Sequence, residues 1–190
     1  MPKYAFLLVL SLASCGIDRE INSISSVDEG VLKTYQELPE QNRLQISNRD
    51  EPGEPLILCL TFVDKSSGNP LPDQRVHFYH TDTSGEYNPS VANDESTARL
   101  SGSAITNSKG QILVQTILPG DYGSSADNRH IHTTVFGARP EAYDIHFKQY
   151  TGVMGRNFID GSDQHFLADL KRNSNGSLIT FLSIEVKSPY

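Results

Sequence analysis

The residues best suited to chemistry are His130 and His132, one Ile apart in the β-rich run His130–Gly137. Residues i and i+2 of a strand project from one face, so both imidazoles can reach a common point. Imidazole nitrogen suits a transition metal, although two exposed or hydrogen-bonded histidines explain the pair equally well. His77, His146 and His165 lie in no motif and are expected to be structural or surface residues. The stretch Asp144-Ile145-His146-Phe147 echoes an H-x-H but has one histidine, and is not taken as a ligand site. Cys59 sits inside the apolar run Leu56–Val63, where a free thiol behaves as a small buried hydrophobe. There is no G-x-S-x-G elbow, phosphate-binding glycine loop, H-E-x-x-H or C-x-x-C.

Such a pair needs rigid elements to hold it. The chain has 190 residues and a formal charge of −7, from 16 basic and 23 acidic side chains. That length suits one domain plus a tail, and the acidic balance argues against nucleic acid, whose phosphates require clustered Lys and Arg. No run of 18 apolar residues is present to cross a membrane. From Gly53 onward, eight short β-rich runs alternate with turn signals: Leu56–Asp64, Arg75–Thr81, Ala98–Thr106, Gln111–Ile117, His130–Gly137, Tyr143–Tyr150, Phe166–Leu170 and Leu178–Lys187. With no convincing helix among them, this pattern implies an all-β sandwich over residues 53–190.

The N-terminal part reads differently. Residues 1–14 combine an early Lys, a short apolar run from Tyr4 to Leu12 and small residues, the layout of a secretory signal. Leu12-Ala13-Ser14-Cys15 resembles a bacterial lipobox, which implies acylation at Cys15, and Gly16 after it favours outer-membrane sorting. Residues 16–52 hold eight acidic and four basic residues. Ser26 with Glu29 forms a capping-box pattern for a short helix through Val31, Leu32, Tyr35 and Leu38, ended by Pro39. The expectation for residues 15–52 is nonetheless a flexible tether behind the lipidated Cys15, and a monomer held at the membrane only by its lipid.

Several pieces of the domain come in a telling order. They are the turn Gly68-Asn69-Pro70-Leu71-Pro72, the stretch Val76-His77-Phe78-Tyr79 running on to Asp82, Gly85 and Tyr87, and the hairpin Thr106 to Gly110. Then come Thr116-Ile117-Leu118-Pro119-Gly120-Asp121-Tyr122 and finally His130-Ile131-His132. Together they resemble the intradiol ring-cleavage dioxygenases over residues 53 to about 187. The resemblance implies a non-haem Fe(III) centre held by Tyr87, Tyr122, His130 and His132. The substrates it implies are O2 and a small aromatic diol, opened between its two hydroxyl-bearing carbons. Tyr122 would leave the metal when the diol binds and help take a proton. Phenolate oxygen suits a hard ferric ion, and two phenolates offset two of its three charges. His80 stands where relatives carry Gln or His; it is read either as lying near the metal without touching it, or as a solvated strand-end residue.

One position departs from the family pattern. Relatives carry Arg three residues before the first histidine, where Asp127 stands here; Arg129 directly precedes His130 and is the candidate for stabilising charge on the diol. A carboxylate at 127 would disfavour an anionic diol. Two other readings remain open: a carboxypeptidase-regulatory-like or transthyretin-like β-sandwich serving as a binding module, and a metal-binding homologue without ring cleavage.

Overall fold

Strand β2 (Pro55–Asp64) is buried continuously from Leu56 to Leu60. A strand whose alternate side chains are all buried needs an apolar layer on each face of its sheet. The computed structural model, which describes residues 20–123, 127–187 and 189, supplies both layers. In chain order the remaining elements are α1 (Ser26–Gln36), β1 (Arg43–Gln45), β3 (Arg75–His80), β4 (Leu100–Ile105), β5 (Gln111–Ile117), β6 (His130–Val135), β7 (Ala142–Phe147), α2 (Val153–Asp160), β8 (His165–Ala168), β9 (Lys171–Arg172) and β10 (Leu178–Val186). The strands form two five-stranded sheets, ordered β1-β5-β2-β10-β9 and β4-β3-β6-β7-β8. Leu56, Leu58, Leu60 and Phe62 of the first sheet pack against Val76, Phe78, Ile131, Ile145 and Phe147 of the second, which makes the sandwich core.

The eight expected strands are present, with ends shifted by up to three residues. Two more, β1 and β9, were too short to show a pattern in the chain, and α2 corrects the expectation of a domain without helices. Among the described residues, no helix is long and apolar enough to cross a membrane. The signal segment 1–14 and Cys15 lie outside the described residues.

The tether expectation is corrected for residues 20–52. Ser25, extended at φ −81° and ψ 166°, caps α1 through a reciprocal box with Asp28, one residue earlier than the Ser26–Glu29 pattern. The helix lays Leu32 and Tyr35, with Leu38 just beyond it, over Ile57, Cys59, Leu113 and Ile179 on the outer face of the first sheet. The Tyr35 hydroxyl bonds Thr61 Oγ1 at 2.7 Å, and Lys171 Nζ reaches Asp28 at 2.8 Å. Polar composition concealed this because only one stripe of so short a helix needs to be apolar. Burial leaves Cys59 1% exposed and pushes its thiol up to about 12, so it is an inert packing residue.

Candidate metal centre

The second sheet alternates strictly: Val76, Phe78, Ile131, Val135, Ile145 and Phe147 face the core and their neighbours face outward. Strand register then aligns the outward residues. Tyr79 pairs with His132, His132 with Asp144, and Asp144 with His165, giving one row across β3, β6, β7 and β8. His130 pairs with His146 in the next row.

Two turns cover this row. Asp82 Oδ1 accepts from the backbone N–H groups of Ser84 (2.9 Å) and Glu86 (3.2 Å), which folds the turn carrying Tyr87. The turn carrying Tyr122 docks beside it, with Gly120 N–H donating to the Asp82 carbonyl at 2.8 Å. The approach requires glycine on both sides. Gly85 has φ +87° and a Cβ there would collide with the Asp121 carbonyl oxygen; a Cβ on Gly120 would lie 2.6 Å from Asp82 O. The Ser-Gly-Glu-Tyr and Pro-Gly-Asp-Tyr turns thus hold their tyrosines in register with each other.

Three of the four residues expected to bind metal converge. His130 Nε2 lies 3.0 Å from His132 Nε2, and Tyr87 Oη lies 2.8 Å from the same His132 nitrogen. Both Nδ1 atoms are committed: that of His130 donates to the Asn128 carbonyl at 3.0 Å, and that of His132 to Asp144 Oδ1 at 2.8 Å. With the Nδ1 protons assigned by these acceptors, both Nε2 lone pairs point into one space; the protonated Tyr87 hydroxyl can donate to that of His132, and a cation there would be met by all three groups. Two ligands bound about 2.1 Å from one ion at right angles lie about 3.0 Å apart, so the spacing fits adjacent positions around a transition metal. The residues present therefore fit a metal ion.

Tyr122 stands next to this group but its hydroxyl points elsewhere. Its ring centroid is 5.3 Å from that of Tyr87 and 6.3 Å from that of His130, and its Oη donates to Glu95 Oε1 at 3.2 Å. The Glu95 charge raises the Tyr122 phenol above its ordinary value. Burial, reinforced by Glu95, raises Tyr87 as well, so that phenol ionises at neutral pH only against a cation. An open cleft of about 420 Å³ leads to both tyrosines and is also lined by Gly85, Glu86, Glu95 and Asp121.

The other candidates are placed differently. Arg129 gives Nε to Asp121 Oδ2 at 3.2 Å and lies 4.5 Å over the Tyr150 ring. Asp127 is not among the cleft's lining residues; its Oδ2 accepts the Gly152 N–H at 3.2 Å. His80 faces the core, opposite to the outward row that carries the metal donors, and is not solvated. As the third inward residue of β3 it is fully buried, with Nδ1 donating to Thr81 O and Nε2 accepting from Thr116 Oγ1, both at 2.7 Å. Burial pushes it down to about 4 and keeps it neutral.

The sequence reading missed Asp144, which orients His132. His146 and His165, expected to be structural or surface residues, are drawn together instead, with His146 Nε2 3.1 Å from His165 Nδ1. Burial, then the neighbouring His130, pushes His146 down to about 4. The available signal was alternation: Asp144 and His146 share the parity of outward positions on a strand that follows the H-x-H strand.

Comparison with known proteins identifies the family and the fold. A sequence model of the dioxygenase family matches residues 33–185. Catechol 1,2-dioxygenase of Acinetobacter baylyi is 40% identical over 75 residues, 39% of this chain and 24% of that protein. The chain therefore spans about a quarter of the length of the curated relative it matches. An intradiol ring-cleavage dioxygenase from Tetranychus urticae superimposes with a TM-score of 0.55 at 19% identity, over 79% of this chain and 89% of that one. The dioxygenase domain of a carbohydrate-binding fusion protein from Streptomyces sp. SirexAA-E gives 0.55 at 19% identity, over 80% and 92%. Catechol 1,2-dioxygenase from Acinetobacter sp. ADP1 gives 0.55 at 21% identity, over 77% and 57%. The family model covers most of the chain, including both tyrosine turns and the histidine strand, and the chain belongs to the intradiol ring-cleavage dioxygenase family.

Proposed function

We propose that this chain is a non-haem Fe(III) dioxygenase that opens an aromatic ortho-diol between its two hydroxyl-bearing carbons, using O2. The observation that carries the reading is the convergence of two imidazole lone pairs and one phenol, with both Nδ1 protons held away by Asn128 O and Asp144. Tyr87, His130 and His132 would hold the ion, with Tyr122 as the fourth, exchangeable ligand. Bound there, ferric iron supplies a chelating Lewis acid for both diol oxygens and makes the diolate reactive toward O2.

The rest of the work falls to side chains. Asp144 fixes the ring and tautomer of His132, and the Tyr79 ring stacks on the same imidazole at 4.6 Å between centroids. Tyr122, as a phenolate, would take a proton from the diol: the neighbouring Glu95 charge raises it above an ordinary phenol, and Glu95 Oε1 accepts from the hydroxyl once protonated. Arg129 acts as a positioning residue, neutralising Asp121 beside Tyr122. Glu86 and Glu95 line the cleft and would repel a carboxylate on the substrate, so an uncharged catechol is preferred over protocatechuate.

The test is oxygen uptake by the iron-loaded protein with catechol in 18O2. The reading requires one O2 consumed per diol, with both labelled atoms in the two carboxyl groups of an acyclic diacid. A coloured, iron-loaded protein that consumes no O2 with any simple diol would instead identify a metal-binding homologue without turnover. Acylation of Cys15 and outer-membrane attachment belong to the same proposal, supported by the Leu12-Ala13-Ser14-Cys15 tetrad. The intact mass of membrane-extracted protein checks it, because retention of Met1 contradicts processing at Cys15.

A further inference from the structure

We propose that Asp144, His146 and His165 form a second metal site, separate from the Tyr87–His130–His132 centre, for a divalent cation of the zinc class. The outward face of the second sheet supplies its geometry. Asp144 on β7 pairs laterally with His132 on one side and His165 on the other, and its two carboxylate oxygens are divided accordingly. Oδ1 accepts from His132 Nδ1 at 2.8 Å, while Oδ2 turns to His165 Nδ1 at 3.5 Å. His146, two residues further along the same face, places Nε2 3.1 Å from that His165 nitrogen. The three donor atoms all lie within 4.8 Å of one another.

Two ligands about 2.1 Å from one ion are about 3.0 Å apart at right angles and about 3.4 Å apart at tetrahedral angles, so the 3.1 and 3.5 Å spacings suit a shared cation. Two imidazoles and one carboxylate are a borderline-soft donor set, suited to zinc and its neighbours and not to calcium or magnesium. A single negative charge in the set favours a divalent ion, with water completing its shell. The surroundings hold the rings in place: His130 stacks on His146 at 5.2 Å and Phe158 packs against His165 at 4.7 Å between centroids. Asp144 then links the two sites, holding His132 with one oxygen and the second cation with the other.

This site does not depend on the dioxygenase reading, because none of its three residues contributes a donor to the first centre. The test is equilibrium dialysis against zinc, with elemental analysis, of the full chain already loaded with ferric iron. The wild-type chain should take up about one zinc with its iron retained. His165→Gln, on the edge strand and away from the tyrosine turns, should keep its iron and bind zinc roughly tenfold or more weakly. The same loss of one zinc is expected in metal-free protein, which decides the question even if the first centre takes no iron. Wild-type protein that binds iron and no zinc overturns the proposal, as does His165→Gln protein that binds zinc as tightly as wild type.

Discussion

The two sheets of the sandwich share one core and differ on their outer faces. The first is sealed: α1 lays Leu32 and Tyr35 over Ile57, Cys59, Leu113 and Ile179. The second carries Tyr79, His130, His132, Asp144, His146 and His165 on the equivalent surface. One face adds apolar burial to stability; the other gives up that gain to line up lone pairs in fixed register. Substitutions on the two faces should accordingly have opposite signatures, stability without metal on the first and metal without stability on the second.

The largest effect should come from His132→Ala. It removes the nitrogen that both His130 and Tyr87 approach, so iron content and ring cleavage should fall to background. Unfolding of the metal-free protein should move by less than about 1 kcal/mol, since the residue lies outside the core. Large destabilisation in urea would break the comparison.

Leu32→Ala should do the reverse. Loss of a buried leucine from the helix–sheet contact costs about 3 kcal/mol, read from denaturant midpoints at unchanged slope. The metal centre's colour and affinity should survive at low denaturant, and a variant that folds stably yet loses iron would show that the sealed face governs the site.

The core between the faces has its own pH signature in His80. Its folded value of about 4 lies below the unfolded value near 6.5, so unfolded chains take up the proton first. The neutral imidazole's contribution is complete above about pH 6.5, declines as pH falls, and is lost by about pH 4, amounting to roughly 3 kcal/mol. Urea unfolding of metal-free protein at pH 7 and pH 5 should show this slope, and His80→Gln should flatten it. An equal slope in both proteins would assign acid sensitivity elsewhere.

The mildest substitution is Asp144→Asn. It keeps the shape but removes the charge that orients His132, and should weaken iron binding about 10–100-fold with little change in fold. Iron affinity measured by chelator competition checks it; no change would mean that the Asn128-held His130 and Tyr87 suffice.

Much of this contrast was written in local pattern. The continuous apolar run of β2 announced a buried strand, and the Ser-Gly-Glu-Tyr turn with H-x-H announced the three groups that converge, whereas the hydroxyl of Tyr122 turns to Glu95. Local pattern did not reveal what covers β2. The covering helix is polar on most of its surface, and its apolar stripe is two or three residues long. Nor did it reveal Asp144 and His165. Their meeting depends on β7 pairing antiparallel with β6 and parallel with β8, a long-range register that no window of sequence contains. His80 failed for a related reason: a histidine at a strand end looks solvated until the opposite sheet supplies Thr116.

The most direct test of the account is the visible absorption spectrum of the soluble chain beginning after Cys15, with iron quantified in the same sample. The account requires about one ferric ion per chain and a broad tyrosinate-to-iron charge-transfer band, weakened and shifted in Tyr87→Phe, lost when Tyr122→Phe is added to it, and shifted when catechol is added. A colourless protein that stays iron-free after aerobic reconstitution would contradict it, and would leave the converging imidazoles to a shared proton.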